Sequence, residues 1–197
     1  MFRHHRDFDE LARRLMSEER RSYQNPLKIS KMIGVRKGMT VVDMGCGPGF
    51  FTMPLAKLVG PKGLVYAVEA NQTMLRHLRD NFRKTGANGR RIKIVHADVS
   101  KTRIPTASAD VVLLARILHD IEDKKSFLTE VKRVCKPGGV VVDLDWKKIR
   151  MAHGPPYSIT LSKPRSSKIL EANGLRVTGS FDPGRYHYGI IATPRPV

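Results

Sequence analysis

Apolar residues recur along this chain in two rhythms, one of helical and one of strand character, and the two alternate. Phe8, Leu11, Ala12, Leu15 and Met16 fall at three- and four-residue spacing, one face of an opening helix. Asn25-Pro26 reads as an N-cap followed by proline in the first helical turn, and Gly34 ends that short helix. Met39–Met44, a Val-rich apolar run between Gly38 and Gly45, then predicts a strand buried on both faces. A helix over 51–59, a strand over Leu64–Glu69, a helix capped by Asn71 and running to about Gly86, and a strand over Ile92–His96 follow. Asp110–Ala115 predicts a fourth strand. Helix 122–135 carries Phe127, Leu128, Val131 and Val134 on one side and stops at Lys136-Pro137-Gly138-Gly139. Val140–Asp145 is the fifth strand, and residues 146–160, with Gly154-Pro155-Pro156, read as an irregular connection. A helix near 161–173 and strands over 175–181 and 186–193 complete the chain.

Alternating strands and helices predict an α/β fold, a mostly parallel sheet covered on both faces. No repeat, low-complexity tract or linker divides the sequence, so one domain is expected over 1–197. Within it, 1–36 is a helical extension able to act as a lid, and 37–197 the core. No apolar run is long enough to cross a bilayer. The opening MFRHHRDFDELARRL lacks the apolar stretch of a signal peptide, and the expectation is a cytoplasmic protein. Cys46 and Cys135 are the two cysteines, and neither has a second thiol at metal-ligand spacing. No metal site is expected.

Charge changes this picture, with 36 Lys and Arg against 18 Asp and Glu, a formal +18. The excess is spread along the chain and is densest over 76–103. It favours a polyanionic partner, whether nucleic acid or an anionic membrane surface. Base stacking would call for interleaved aromatics, and 76–103 offers only Phe82, so a well-solvated surface is the simpler account.

The most informative stretch is Val41-Val42-Asp43-Met44-Gly45-Cys46-Gly47-Pro48-Gly49, a buried strand running into three alternate glycines and a helix. Glycine is needed where the chain turns sharply and lets a ligand touch the backbone, and N–H groups at the helix start then face that ligand. Dinucleotide loops place the third glycine one residue later, where this chain has Phe50. Glu69, about 20 residues on, ends the second strand where an acid can accept both hydroxyls of a ribose. Asp98 follows the third strand, placed to accept from an adenine amino group.

From about Lys37 to Asp145 the chain resembles the class I S-adenosylmethionine-dependent methyltransferases, in particular the ubiquinone/menaquinone-biosynthesis C-methyltransferase (type 11) group. The resemblance rests on VVDMGCGPGFFT, AVEANQTML, HADVS, ADVVLLARILHDIED and VKRVCKPGGVVVDLDW. It implies a Rossmann-like, doubly wound seven-stranded sheet in the order 3-2-1-4-5-7-6 with the last strand antiparallel. It also implies S-adenosylmethionine as cofactor and S-adenosylhomocysteine as product. The binding positions it implies are Gly45, Gly47, Gly49, Glu69 and Asp98; Asp43, placed to meet the ammonium of the methionine portion, and Cys46, Ala70, Val99 and Ala115 complete the candidate set.

Methyl transfer from a sulfonium asks mainly for alignment of donor and acceptor, and for a base only when the acceptor must lose a proton. Such groups belong past the ends of the fourth and fifth strands. There the sequence has Arg116, His119 and Asp120, then Asp145, Trp146 and Lys147. His119 titrates near neutrality and is the candidate base, with Asp120 a possible tautomer-setting neighbour; polar capping of the next helix is the alternative. Trp146 either walls the acceptor pocket or packs beneath 146–160. Lys147 could attract an anionic acceptor, and Tyr23 could close over the methionine end.

An Asn/Asp-Pro-Pro-aromatic motif of base N-methylation is missing after strand four, and Gly154-Pro155-Pro156-Tyr157 lies after strand five. Neither cysteine is placed to act as the nucleophile of pyrimidine C5 methylation. A small-molecule acceptor is the leading expectation. RNA or protein methylation using the basic surface is the alternative, followed by a non-catalytic adenosylmethionine-binding subunit and, more weakly, a dinucleotide-dependent reductase. Acceptor atom and oligomeric state are not legible.

Overall fold

The computed structural model describes residues 7–84, 91–151 and 154–195. Three short helices lead: α1 (Phe8–Leu15), α2 (Glu18–Tyr23) and α3 (Pro26–Met32). The core then alternates β1 (Thr40–Met44), α4 (Thr52–Val59), β2 (Leu64–Glu69), α5 (Gln72–Lys84), β3 (Ile92–His96), β4 (Ala109–Ala115), α6 (Lys124–Val134), β5 (Cys135–Trp146), α7 (Lys163–Ala172), β6 (Leu175–Phe181) and β7 (His187–Pro194). The seven strands lie in the order β3-β2-β1-β4-β5-β7-β6. β1 to β5 pair in parallel, and β7 is antiparallel to both its neighbours. Fold class and strand order are as the sequence and its resemblance implied.

Strand periodicity divides the core. Val42 and Met44 point to one face, under Phe127, Val131 and Leu170 of α6 and α7. Val41 points to the other, under Ile29 and Ile33 of the α3 region and Leu55 and Val59 of α4. Each fully buried Leu or Phe contributes about 2–3 kcal/mol from apolar area removed from water. A separate cluster of Leu11, Ala12, Leu15 and Met74 fastens α1 onto α5.

Two elements differ from the sequence reading. α2, reading EERRSY, has no apolar stripe and so no helical signal, yet Ser17 caps it by accepting from the Arg20 N–H at 3.2 Å. The fifth strand starts at Cys135 instead of Val140: β4 pairs Ala109 with Cys135 and Val111 with Val140, so Lys136–Gly139 are looped out between two paired positions. The predicted end of the fourth helix near Gly86 lies outside the described residues. Among those residues no helix is long and apolar enough to cross a membrane.

The segment after β3 is tied to α6. Glu130 Oε1 accepts from the Thr102 backbone N–H (2.8 Å) and hydroxyl (2.6 Å), and Arg133 donates to both carboxylate oxygens at 2.7 Å. Arg133 foremost holds the Glu130 carboxyl down at about 2, against an ordinary 4.5. A depressed carboxylate stabilises the fold fully above its unfolded value and loses that contribution as pH falls through the folded one. Glu130→Gln is therefore expected to lower stability by about 2 kcal/mol at neutral pH, the scale of lost charge-assisted hydrogen bonds. The gap to wild type should close between pH 4.5 and 2 in urea unfolding followed by circular dichroism. A gap independent of pH would remove the electrostatic explanation.

Candidate functional site

Parallel strands ending at Met44, Ala115 and Trp146 leave a crevice beyond their carboxyl ends, where the sheet order reverses between β1 and β4. The chain leaves β1 through Gly45, Gly47 and Gly49, all with left-handed φ (69°, 54° and 93°). At Gly49 a Cβ would also stand 2.5 Å from Leu78 Cδ1, so both backbone and space demand glycine. Asp43, Gly45, Cys46, Gly47, Ala115 and Arg116 line one cleft with Leu15, Arg20, Pro48, Phe50 and Phe51.

Asp43 is buried, and its carboxylate accepts from the Thr52 hydroxyl at 2.7 Å. Burial pushes its pKa up to about 6, against the pull of Thr52 and Arg20. Glu69 is buried as well. One oxygen accepts from the Gly47 N–H (3.1 Å) and the other from the Asn71 N–H (2.8 Å), so the acid of β2 braces the glycine loop of β1. Burial raises its pKa, opposed by these N–H groups. Cys46 is enclosed, and burial drives its thiol far above the ordinary value, leaving an inert small side chain.

The remaining predicted cofactor positions stand to one side, past β2 and β3. Ala70 is exposed, with its carbonyl 3.0 Å from His96 Nε2. Asp98 is exposed and accepts from the Ser100 N–H at 2.7 Å, and Val99 is buried. None of the three lines the cleft around the glycine loop.

Beyond β4, Arg116 takes a left-handed φ of 61° while its N–H donates to the Leu144 carbonyl at 2.7 Å. A single 3-10 turn, Leu118–Asp120, follows and carries His119. His119 Nδ1 lies 2.8 and 2.9 Å from the two oxygens of Asp145, with side-chain exposures of 5% and 1%. A carboxylate only accepts, so Nδ1 carries the proton and Nε2 is left as the basic nitrogen. Burial opposes charge on His119, yet Asp145 outweighs it and the pKa is raised above 6.5.

The tautomer-setting acid is thus Asp145, not Asp120, whose oxygen stands 3.6 Å from Nε2. Pairing explains the correction: Ala115 lies beside Leu144 in the parallel β4–β5 ladder, so the residue after Leu144 meets the turn after β4.

Trp146 is buried between two neighbours. A Cβ on Gly154 would touch its ring at 3.3 Å, and His187 packs on the ring at 4.3 Å between centroids. It lies under the 146–160 connection, as one of the two sequence readings expects, and it belongs to an aromatic cluster. Tyr23 stacks on His187 (6.0 Å, 11°), meets Tyr186 edge-on at 5.5 Å and stands 6.3 Å from Trp146. Arg116 lies over Trp146 at 4.4 Å, which joins this cluster to the glycine-loop cleft. His187 is kept neutral, as burial and then Arg116 push its pKa down to about 2.

Lys147 points elsewhere. Its ammonium binds Asp182 (2.9 Å) and the Gly184 carbonyl (3.0 Å), and it lines a separate surface hollow with Lys148, Lys163 and Tyr188. Its placement therefore does not match the expected role beside the cleft. Two residues that sequence reasoning missed do line or border the cleft: Arg20 and Gln24 of the leading helices. Nothing in EERRSYQ marks either one. Among the described residues, no group of three or more His, Cys, Asp and Glu is arranged to hold a metal ion.

The profile of the methyltransferase domain family matches residues 42–143. A ubiquinone/menaquinone biosynthesis C-methyltransferase of Ectopseudomonas mendocina is 32% identical over 156 residues, covering 79% of this chain and 59% of that protein. A demethylmenaquinone methyltransferase of Staphylococcus aureus is 35% identical over 118 residues, 60% of this chain and 47% of that one. The chain thus spans about half the length of the curated relatives it matches. The crystal structure of a SAM-dependent methyltransferase from Aquifex aeolicus superposes with a TM-score of 0.88 at 32% identity, covering 94% of this chain and 97% of that one.

Proposed function

We propose that this chain, which belongs to the methyltransferase domain family, uses S-adenosylmethionine to methylate a ring carbon of a small hydroxylated aromatic acceptor of the quinol type. The observation that carries the acceptor reading is the His119–Asp145 pair beside an aromatic cluster joined through Arg116 to the glycine-loop cleft. The names of the two curated relatives point to the same class of acceptor.

The residues present fit the cofactor. Asp43 offers a buried carboxylate to an ammonium, the loop offers glycine backbone for close approach, and Arg116 Nε and Gln24 Nε2 are buried polar atoms without partners. Asp43, Gly45, Gly47 and Ala115 would hold its amino-acid portion, with Glu69 bracing the loop. When bound, S-adenosylmethionine supplies a methyl carbon on a positively charged sulfur, open to in-line displacement.

A phenolic ring carbon becomes a good nucleophile when the hydroxyl loses its proton. His119 Nε2 is the group that takes this proton, and Asp145 stabilises the imidazolium that results. Once the ring carbon has taken the methyl from sulfur, its own hydrogen leaves as a proton, the ring regains aromaticity and the imidazolium returns a proton to the oxygen. Trp146, Tyr23 and Tyr186 pack as an aromatic cluster next to this pair, chemistry suited to a flat ring acceptor. Lys147 has no part in this scheme.

Incubation with methyl-labelled cofactor and a short-chain demethylated quinol, kept reduced, tests the reading. Expected is a ring-methylated product identified by mass spectrometry. Label entering RNA and not the quinol would replace the small-molecule reading by one based on the basic surface.

A further inference from the structure

The cleft contains more positive charge than its structural duties explain. Arg20 is 6% exposed, with its guanidinium 3.7 Å above the Phe50 ring, next to the last glycine of the loop. It donates to two neutral acceptors, Gln24 Oε1 and the Leu15 carbonyl, both at 2.9 Å. A guanidinium has five N–H donors, so most remain. Among the described residues, no carboxylate lies within 4.0 Å of Arg20 or of Arg116, which lines the same cleft and leaves Nε buried and unpartnered. Enclosing two unpaired cations together is costly, and an anion between them removes that cost. Burial, with Arg116 next, drives the Arg20 pKa well down, so charge in this cleft is disfavoured unless an anion joins it. Asp43, the one carboxylate lining the cleft, is already engaged by Thr52.

We propose that Arg20 binds the carboxylate of the cofactor's amino-acid end, so that α2 is a lid held shut by the cofactor itself. The inference rests on the cofactor reading above. An amino-acid end is a zwitterion, and the cleft presents Asp43 to its ammonium and Arg20 to its carboxylate. Arg20 and Tyr23 share the one short helix α2, and Tyr23 stacks on His187 in the aromatic cluster. Anchoring Arg20 therefore also holds Tyr23 against His187 and Tyr186.

Calorimetry with S-adenosylhomocysteine and 5′-methylthioadenosine separates the possibilities. The second compound keeps the purine, ribose and sulfur but lacks the amino-acid end. Arg20→Met keeps an unbranched apolar stem over Phe50. Expected is a loss of about 30-fold in S-adenosylhomocysteine affinity, equivalent to about 2 kcal/mol, with methylthioadenosine within threefold of wild type. Arg20→Lys should recover part of the loss. Retained methylthioadenosine binding also certifies that the variant folds. Equal loss for both compounds, or loss for neither, overturns the clamp while leaving the cofactor reading intact. Wild-type protein binding neither compound overturns that reading, and the clamp with it.

Discussion

His119→Ala is expected to lower kcat for methyl transfer about 10²–10⁴-fold, the range for removing a positioned base, with S-adenosylhomocysteine affinity within threefold of wild type. The size follows from where the imidazole sits. It is nearly enclosed, Nδ1 is committed to Asp145, and the imidazole of His187 is held neutral with a pKa of about 2. The pH profile makes the test sharper. In wild type the raised pKa of His119 puts the acidic limb of kcat/KM above 6.5, with activity rising as the base deprotonates. Asp145→Asn removes the group that outweighs burial. The limb should then move to lower pH while kcat falls, because burial and Arg116 disfavour the imidazolium and only Asp120 is left to oppose them. An unmoved limb in Asp145→Asn, or a His119→Ala enzyme with normal kcat, would overturn the assignment.

Glu69→Ala is expected to cost about 100-fold in S-adenosylhomocysteine affinity, and about 2–4 kcal/mol of stability in urea unfolding. The stability figure comes from two backbone donors, Gly47 N–H and Asn71 N–H, left without their buried carboxylate partner. The affinity figure comes from the same contact seen from the loop. Gly47 holds a left-handed φ of 54° against Glu69, and an unbraced glycine loop must be ordered at the ligand's expense. Glu69→Gln should recover little, since its amide NH₂ would face a second donor where the carboxylate accepts. A variant as stable as wild type that binds normally would show that Glu69 neither braces nor recognises.

Local demands made much of this legible. The alternate glycines at 45, 47 and 49 are required by backbone angles that a sequence reader can anticipate. The short Val-rich run between Gly38 and Gly45 has the length and β-branched content of a buried strand. Strand order came from resemblance, because nothing in a strand's own residues names its neighbour. The partnership of His119 with Asp145 was hidden for the same reason: it is created by the β4–β5 register and joins residues far apart in the chain. α2 was invisible because it has no apolar stripe, and it is held by the Arg20 guanidinium over Phe50 and by Tyr23 in the aromatic cluster. Lys147 misled because its place after a strand suggested the crevice, whereas Asp182 draws the ammonium toward the far edge of the sheet.

The attachment of α1 to Met74 of α5 also has a temporal meaning. The leading helices leave the ribosome before the surface they cover has been made. An eight-residue helix such as α1 cannot persist alone in water, being shorter than the ~12–15 residues at which isolated helices become marginal. This end of the chain therefore waits unfolded and settles after β1, β2 and α5 have assembled, so a nascent molecule cannot seal its cleft before the cleft exists. In the finished protein α1, held to the core by the small Leu11–Leu15–Met74 cluster, is expected to open at a lower free energy than the sheet, with amide exchange faster in α1 than in β1.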